Sequence, residues 1–253
     1  MFKHYNTQVR GRGHEKSGTS CQDYTYFNSA KGVQVITLAD GAGTAEFSEY
    51  GAQTVAKKAC GYLVQNFHRL YNSEDGVSVK KELHDYLLSE IETRRTKLSE
   101  KADCTIKDLA STFLMVAVHQ NEFILAHIGD GVIGYIRNGE LKVASAPDND
   151  EFANTTTFVT SSNALSAMRM SKGSLDGVAG FILMSDGTEN SLYNKKAGTL
   201  SGACIKLIET VAKAPTYTRK NPRYEREIKR VLRAKIKENT NDDCSVAILG
   251  RLL

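Results

Sequence analysis

The sequence predicts an α+β fold built mainly on antiparallel sheets. Two observations carry the prediction. Apolar, strand-like runs recur along the chain and are joined in places by hairpin dipeptides. Segments of helical periodicity come in pairs between groups of strands, rather than singly between successive strands as parallel βαβ units require.

The elements follow in order. An aromatic run, Tyr24 to Phe27, comes after Gln22-Asp23. Val33 to Ala39 is apolar on both faces and reads as a buried strand. Residues 47–71 read as a helix, because Val55, Ala59, Leu63, Phe67 and Leu70 recur every three or four positions. Ser48 followed by Gly51 makes a poor capping box, so nothing marks the start of that helix sharply. Residues 79–101 form a second helix, with Leu83, Leu87, Leu88, Ile91 and Leu98 apolar. Residues 112–118 and 122–127 pair as a hairpin about Gln120-Asn121. Residues 132–137 and 140–144 pair about Asn138-Gly139, a strong hairpin signal. The stretch 145–180 is polar, with one β-prone run at 155–160; a plain surface excursion and a functional loop are both open. A strand at 181–185, two helices and a last strand at 246–249 complete the order. Only Pro147, Pro215 and Pro222 punctuate the chain and no composition break appears, so 1–253 is expected to be one domain.

Three of the apolar runs end in Asp-Gly: at Asp40-Gly41, Asp130-Gly131 and Asp186-Gly187. Asp23 precedes the aromatic run, and Asp242-Asp243 precede the last strand. Taken singly, Asp-Gly is an ordinary turn. Five acidic sites beside strand termini are more than turn chemistry requires. Carboxylates so placed can converge when strands pack, and converging carboxylates need a cation. Oxygen-only ligands favour Mg²⁺ or Mn²⁺ over zinc or copper.

Composition narrows the class. Of 253 residues, 41% are hydrophobic and 25% charged, as in an ordinary globular protein. No apolar stretch approaches the length of a membrane span, and the N-terminus lacks the apolar core of a signal peptide. The five cysteines are widely spaced and form no C-x-x-C pair, which fits a reducing cytoplasm. The formal charge is +4, yet residues 219–238 carry nine Lys or Arg against three Glu, a net of +6, leaving the rest at −2. There Ile228, Val231, Leu232, Lys235 and Ile236 recur at helical spacing, which reads as a docked helix with a solvated basic face. Docking of an acidic or phosphorylated partner is the alternative. Nucleic-acid binding is not expected, because no aromatic residues interleave the charge. His127, inside an apolar strand, reads as a core residue. No cysteine is followed six positions later by Arg, and G-x-S-x-G, H-E-x-x-H and G-x-x-x-x-G-K are missing.

The order Gln22-Asp23, Ala39-Asp40-Gly41-Ala42-Gly43, Ser111-Thr112-Phe113, Gly129-Asp130-Gly131, Met184-Ser185-Asp186-Gly187 and Asp242-Asp243-Cys244-Ser245 resembles the type-2C, metal-dependent serine/threonine protein phosphatases. The likeness runs from about Val9 to Leu249 and is to the small enterobacterial members. It implies a four-layer α-β-β-α sandwich: two antiparallel sheets packed face to face, with helix pairs on both outer sides. The stretch 145–180 falls where the family carries a mobile flap.

The resemblance also implies the chemistry. Two Mg²⁺ or Mn²⁺ ions would hold a hydroxide that attacks phosphorus in line. Asp40 would bridge the ions and the Gly41 carbonyl would be a further ligand. Asp186 and Asp242 would hold the second ion, and these with Asp40 are the expected catalytic groups. Asp23 would orient metal-bound water with Gln22 beside it. Asp130, with Asp186, would form a weaker third-metal site. Asp243 would orient a ligand rather than bind the ion. Three positions depart from the family. Ala42 stands where many relatives have a His proposed as general acid, Gln22 where they have an acidic residue, and Gly18 where they have a phosphate-binding Arg. Arg10, Arg12, His14 and Lys16 lie just upstream, and His14 and Lys16 are the candidates for phosphate binding; a basic turn without function is the alternative.

The expectation is therefore a cytoplasmic, monomeric phosphatase of phosphoserine and phosphothreonine in proteins, with no membrane or nucleic-acid partner. Two other readings stay open: a silent phosphatase-like module that binds phosphoprotein, and a phosphatase of small metabolites.

Overall fold

The computed structural model describes residues 1–147, 156–214, 226, 228–230 and 232–253. In chain order the elements are β1 (Lys3–Val9), α1 (Arg12–Ser17), β2 (Tyr24–Ala30), β3 (Val33–Ala39), α2 (Ser48–Asn72), α3 (Gly76–Ser99), β4 (Phe113–His119), β5 (Glu122–Ile128), β6 (Val132–Arg137) and β7 (Glu140–Ser145). Then come α4 (Ala164–Ala167), β8 (Arg169–Ser174), β9 (Val178–Met184), α5 (Glu189–Leu192), β10 (Tyr193–Asn194), β11 (Thr199–Leu200), α6 (Ala203–Lys213) and β12 (Cys244–Gly250). They form two compact units, each holding one five-stranded antiparallel sheet.

One unit comprises the described residues of 22–130 and 150–175, with strand order β2-β3-β4-β5-β8. Every residue of β3 and of β4 is buried. The apolar stripe of α2, from Val55 through Ala59, Leu63 and Phe67 to Leu70, is buried as its spacing predicts. With Leu83, Leu87 and Ile91 of α3 it joins the core around Phe113 and Met115. Each fully buried Leu or Phe there contributes about 1.5–3 kcal/mol. Asp75, not predicted as a cap, starts α3 by accepting from the N–H groups of Val77 at 3.1 Å and Ser78 at 2.9 Å.

The other unit comprises the described residues of 1–21, 131–149 and 176–253, with order β1-β12-β9-β6-β7. Asn138 and Gly139 turn β6 into β7 with φ of 53° and 79°, as their sequence predicts. The buried face of α6, Cys204, Leu207, Ile208 and Val211, joins a core with Ile182, Val246 and Ile248.

Several expectations change. The basic stretch before Gly18 is not a turn but a short helix, α1, closed by Gly18 at φ 80°. The polar stretch 145–180 contains a real strand, β8, on the edge of its sheet. Its sequence, Arg-Met-Ser-Lys-Gly-Ser, has little β propensity and is held by pairing with β5. The β-prone run 155–160 makes no strand over 156–160, while residue 155 lies outside the described residues. Of the 219–238 segment, 219–225, Glu227 and Val231 lie outside the described residues. Ile228 and Ile236 are buried and Arg226, Arg230 and Arg233 exposed, in line with a docked stripe and a solvated basic face.

Candidate active site

Antiparallel pairing brings distant acidic residues to one end of a sheet. In the unit built on β2 to β5, Tyr24 pairs with Ala39 and Phe113 with Ile128. The start of β2, the end of β3, the start of β4 and the end of β5 therefore lie together. Asp23 precedes the first, Asp40 follows the second and Asp130 follows the fourth. Asp23 is buried; Asp40 and Asp130 are half-buried.

The backbone at Asp40 is fixed from both sides. Its N–H donates to Thr112 Oγ1 at 2.9 Å, and its carbonyl accepts from the Thr112 N–H at 2.7 Å. Gly41 makes an isolated bridge with Ser111, and its N–H donates to the Gln22 carbonyl at 3.2 Å. Thr112 is thus a structural partner of the site that its motif alone does not reveal. Gln22 turns its amide away to Ser48 Oγ at 2.8 Å, fastening the start of α2. Ala42 is 7% exposed and clusters with Ala45 and Ala110, against which Phe158 packs. His127 is buried in β5 as expected, with Nε2 3.0 Å from the Gly129 carbonyl.

The second unit shows the same logic. Met184 pairs with Val246, so the end of β9 meets the start of β12. The Ser185 N–H donates to the Ser245 carbonyl at 3.2 Å, and the Ser245 N–H donates to Ser185 Oγ at 3.0 Å. Asp186 lies in the 3₁₀ turn Asp186–Thr188 and Asp242 in the loop beside it. Gly187 allows this approach: a Cβ there would lie 1.9 Å from the Asp243 carbonyl oxygen and 3.4 Å from Asp242 Cβ. Asp186 is half-buried and Asp242 exposed.

Asp243 is 2% exposed. Its Oδ1 accepts from the Gly11 N–H at 2.6 Å and lies 3.0 Å from His14 Nδ1. Through these contacts it anchors the start of α1. The basic candidates are engaged locally. Arg10 donates to the His14 carbonyl at 2.6 Å and Arg12 Nε to the Thr240 carbonyl at 3.1 Å. Lys16 is exposed.

Asp23, Asp40, Asp130 and the Gly41 carbonyl in one unit, and Asp186 and Asp242 in the other, offer only oxygen, a donor set suited to a hard divalent cation. Among the described residues, no three His, Cys, Asp or Glu side chains already stand close enough to hold one.

Residues 10–233 match the family model described as protein phosphatase 2C. Serine/threonine-protein phosphatase 3 of Escherichia coli K12 is 26% identical over 191 residues, covering 73% of this chain and 72% of that protein. Among solved structures, serine/threonine phosphatase Stp1 of Staphylococcus aureus superposes with a TM-score of 0.64 at 12% identity, covering 100% of this chain and 96% of that one. The serine/threonine phosphatase of S. agalactiae does so with a TM-score of 0.58 at 19% identity, covering 100% of both.

Proposed function

Because the chain belongs to the protein phosphatase 2C family, we propose that it hydrolyses phosphoserine and phosphothreonine monoesters in proteins, with Mg²⁺ or Mn²⁺ held by its aspartates. The observation that supports this most directly is the reciprocal pair of hydrogen bonds between Asp40 and Thr112 that fixes Asp40 at the end of a wholly buried strand. An ordinary surface turn needs no such support. Asp40 and the Gly41 carbonyl would hold one ion, Asp186 and Asp242 another, Asp130 with Asp186 would serve a weaker site, and Asp23 would orient water. When bound, the ions supply an activated water and neutralise the phosphoryl oxygens.

The chain's own departures shape the reaction. With Ala42 in place of an imidazole, no side chain at that position can protonate the leaving alkoxide. Gln22, committed to Ser48, supports α2 instead of adding a carboxylate. His14, whose Nδ1 lies 3.0 Å from Asp243 Oδ1, and Lys16, which is exposed, are the candidates to meet phosphoryl oxygens. Among the described residues no helix is long and apolar enough to cross a membrane. A cytoplasmic monomer acting on phosphoproteins, without nucleic acid, is the simplest setting.

Ala42 and Gln22 favour one rival, a module that binds phosphoprotein without cleaving it. The test is steady-state turnover with Mn²⁺ of a phosphothreonine peptide beside a sugar phosphate. Efficient cleavage of the peptide over the sugar phosphate is expected. Tight peptide binding without turnover would establish the silent module, and preference for the sugar phosphate would establish a metabolite phosphatase.

A further inference from the structure

The segment that begins at Thr156 is fastened to the acidic end of its own unit at several points. Thr156 Oγ1 donates to Asp130 Oδ2 at 2.5 Å. Phe158 packs on the Ala42, Ala45 and Ala110 cluster. The Val159 N–H donates to the Ser111 carbonyl at 2.9 Å, and the Val159 carbonyl lies 3.0 Å from Nε2 of His84, a buried residue of α3. Val159 itself is fully buried. A carbonyl can only accept, so His84 carries its proton on Nε2 and donates. Ser111 is the neighbour of Thr112, the residue that fixes Asp40. The Thr156 hydroxyl is therefore delivered to Asp130 by a strap anchored on core residues, not by a wandering side chain.

We propose that Thr156 is a positioning residue for Asp130: its hydroxyl holds one carboxylate oxygen so that the other is presented to a cation. This rests on the metal-dependent reading above. A carboxylate that must be oriented on binding loses rotational freedom at that moment, whereas one already held does not. Partners of metal-binding carboxylates commonly carry about 10–100-fold in affinity for this reason. Nothing in the family resemblance assigns a role to Thr156; the assignment comes from the contact and from the strap that makes it.

The test is calorimetric titration of Mn²⁺ into the metal-free full chain, as wild type, Thr156→Val and Thr156→Ser. Valine keeps the shape and removes the hydroxyl, while serine restores it. The weakest of the bound ions should lose about tenfold in affinity in Thr156→Val and recover in Thr156→Ser. In an Asp130→Asn background that ion should be missing and Thr156→Val should change nothing further. Equal affinities in wild type and Thr156→Val would overturn the positioning role alone. A Thr156→Val loss that persists beside Asp130→Asn would overturn it too, because Thr156 would then act elsewhere. Wild type that binds no Mn²⁺ would overturn it together with the metal-dependent reading.

Discussion

Asp40 and Ala42 stand two residues apart and test different parts of the account. Asp40→Asn keeps shape and turn propensity but removes the charge. Turnover with Mn²⁺ should fall by orders of magnitude, because the activated water is no longer generated. The melting temperature in chelator should stay level or rise, since repulsion with Asp23 at the same sheet end is relieved. If Asp40 were only a turn residue, Asn would serve equally well and both measurements would hold. Ala42→His should narrow the preference for aryl over alkyl phosphates, measured as a ratio of kcat/KM values, because aryl leaving groups need little protonation. It should also destabilise the chain by about 1–3 kcal/mol in denaturant titrations, since Ala42 is packed in a cluster that Phe158 covers. The aspartates could be read from sequence because strand-ending carboxylates stand out against apolar runs. Thr112 and Phe158 could not be placed, because their partners lie far along the chain and only the fold brings them together.

Helices and strands show where the sequence signal is strong and where it is silent. Residues 47–71 and 79–101 were expected as helices and span Ser48–Asn72 and Gly76–Ser99. The second start was missed because Asp75-Gly76 looks like a turn. In fact Asp75 caps the helix, and Asp75→Ala should cost about 1 kcal/mol by chemical denaturation. Asp-Gly is therefore not a site marker by itself. Asp176-Gly177, with Gly177 at φ 66°, serves the connection from β8 to β9. What sets Asp40, Asp130 and Asp186 apart is the apolar strand each one follows. At the far end of β4, His119 is buried against Phe67 and His68. Burial pushes its imidazole below the ordinary value, the nearby His68 adds to the shift, and Glu122 opposes it. The unfolded chain therefore takes up this proton first as the pH falls. The contribution to stability is complete above the ordinary imidazole value and is lost as the pH falls through the lowered folded value. Proton NMR should show His119 titrating below the ordinary imidazole value, and His119→Gln should flatten the acid side of the stability curve. An unshifted His119 would contradict this burial.

Across the whole chain, apolar strand-like runs, hairpin dipeptides and paired helical segments were enough to predict an α+β protein with antiparallel sheets, and two such five-stranded sheets are present. The family order of motifs was equally legible, because it survives in six short segments although overall identity to the Escherichia coli relative is 26%. Less legible were β1, α1 and β8. Each is short, polar on much of its surface and stabilised by long-range partners: β1 by β12, α1 by Asp243, β8 by β5. Local propensity carries little of that information. The central claim is that this arrangement of aspartates is a metal-dependent phosphatase. The measurement that tests it most directly is hydrolysis of a phosphothreonine peptide by one preparation before chelation, after thorough chelation, and after return of Mn²⁺ or Mg²⁺. The account predicts turnover that disappears in chelator and returns with the ion. Undiminished turnover after metal removal would contradict it.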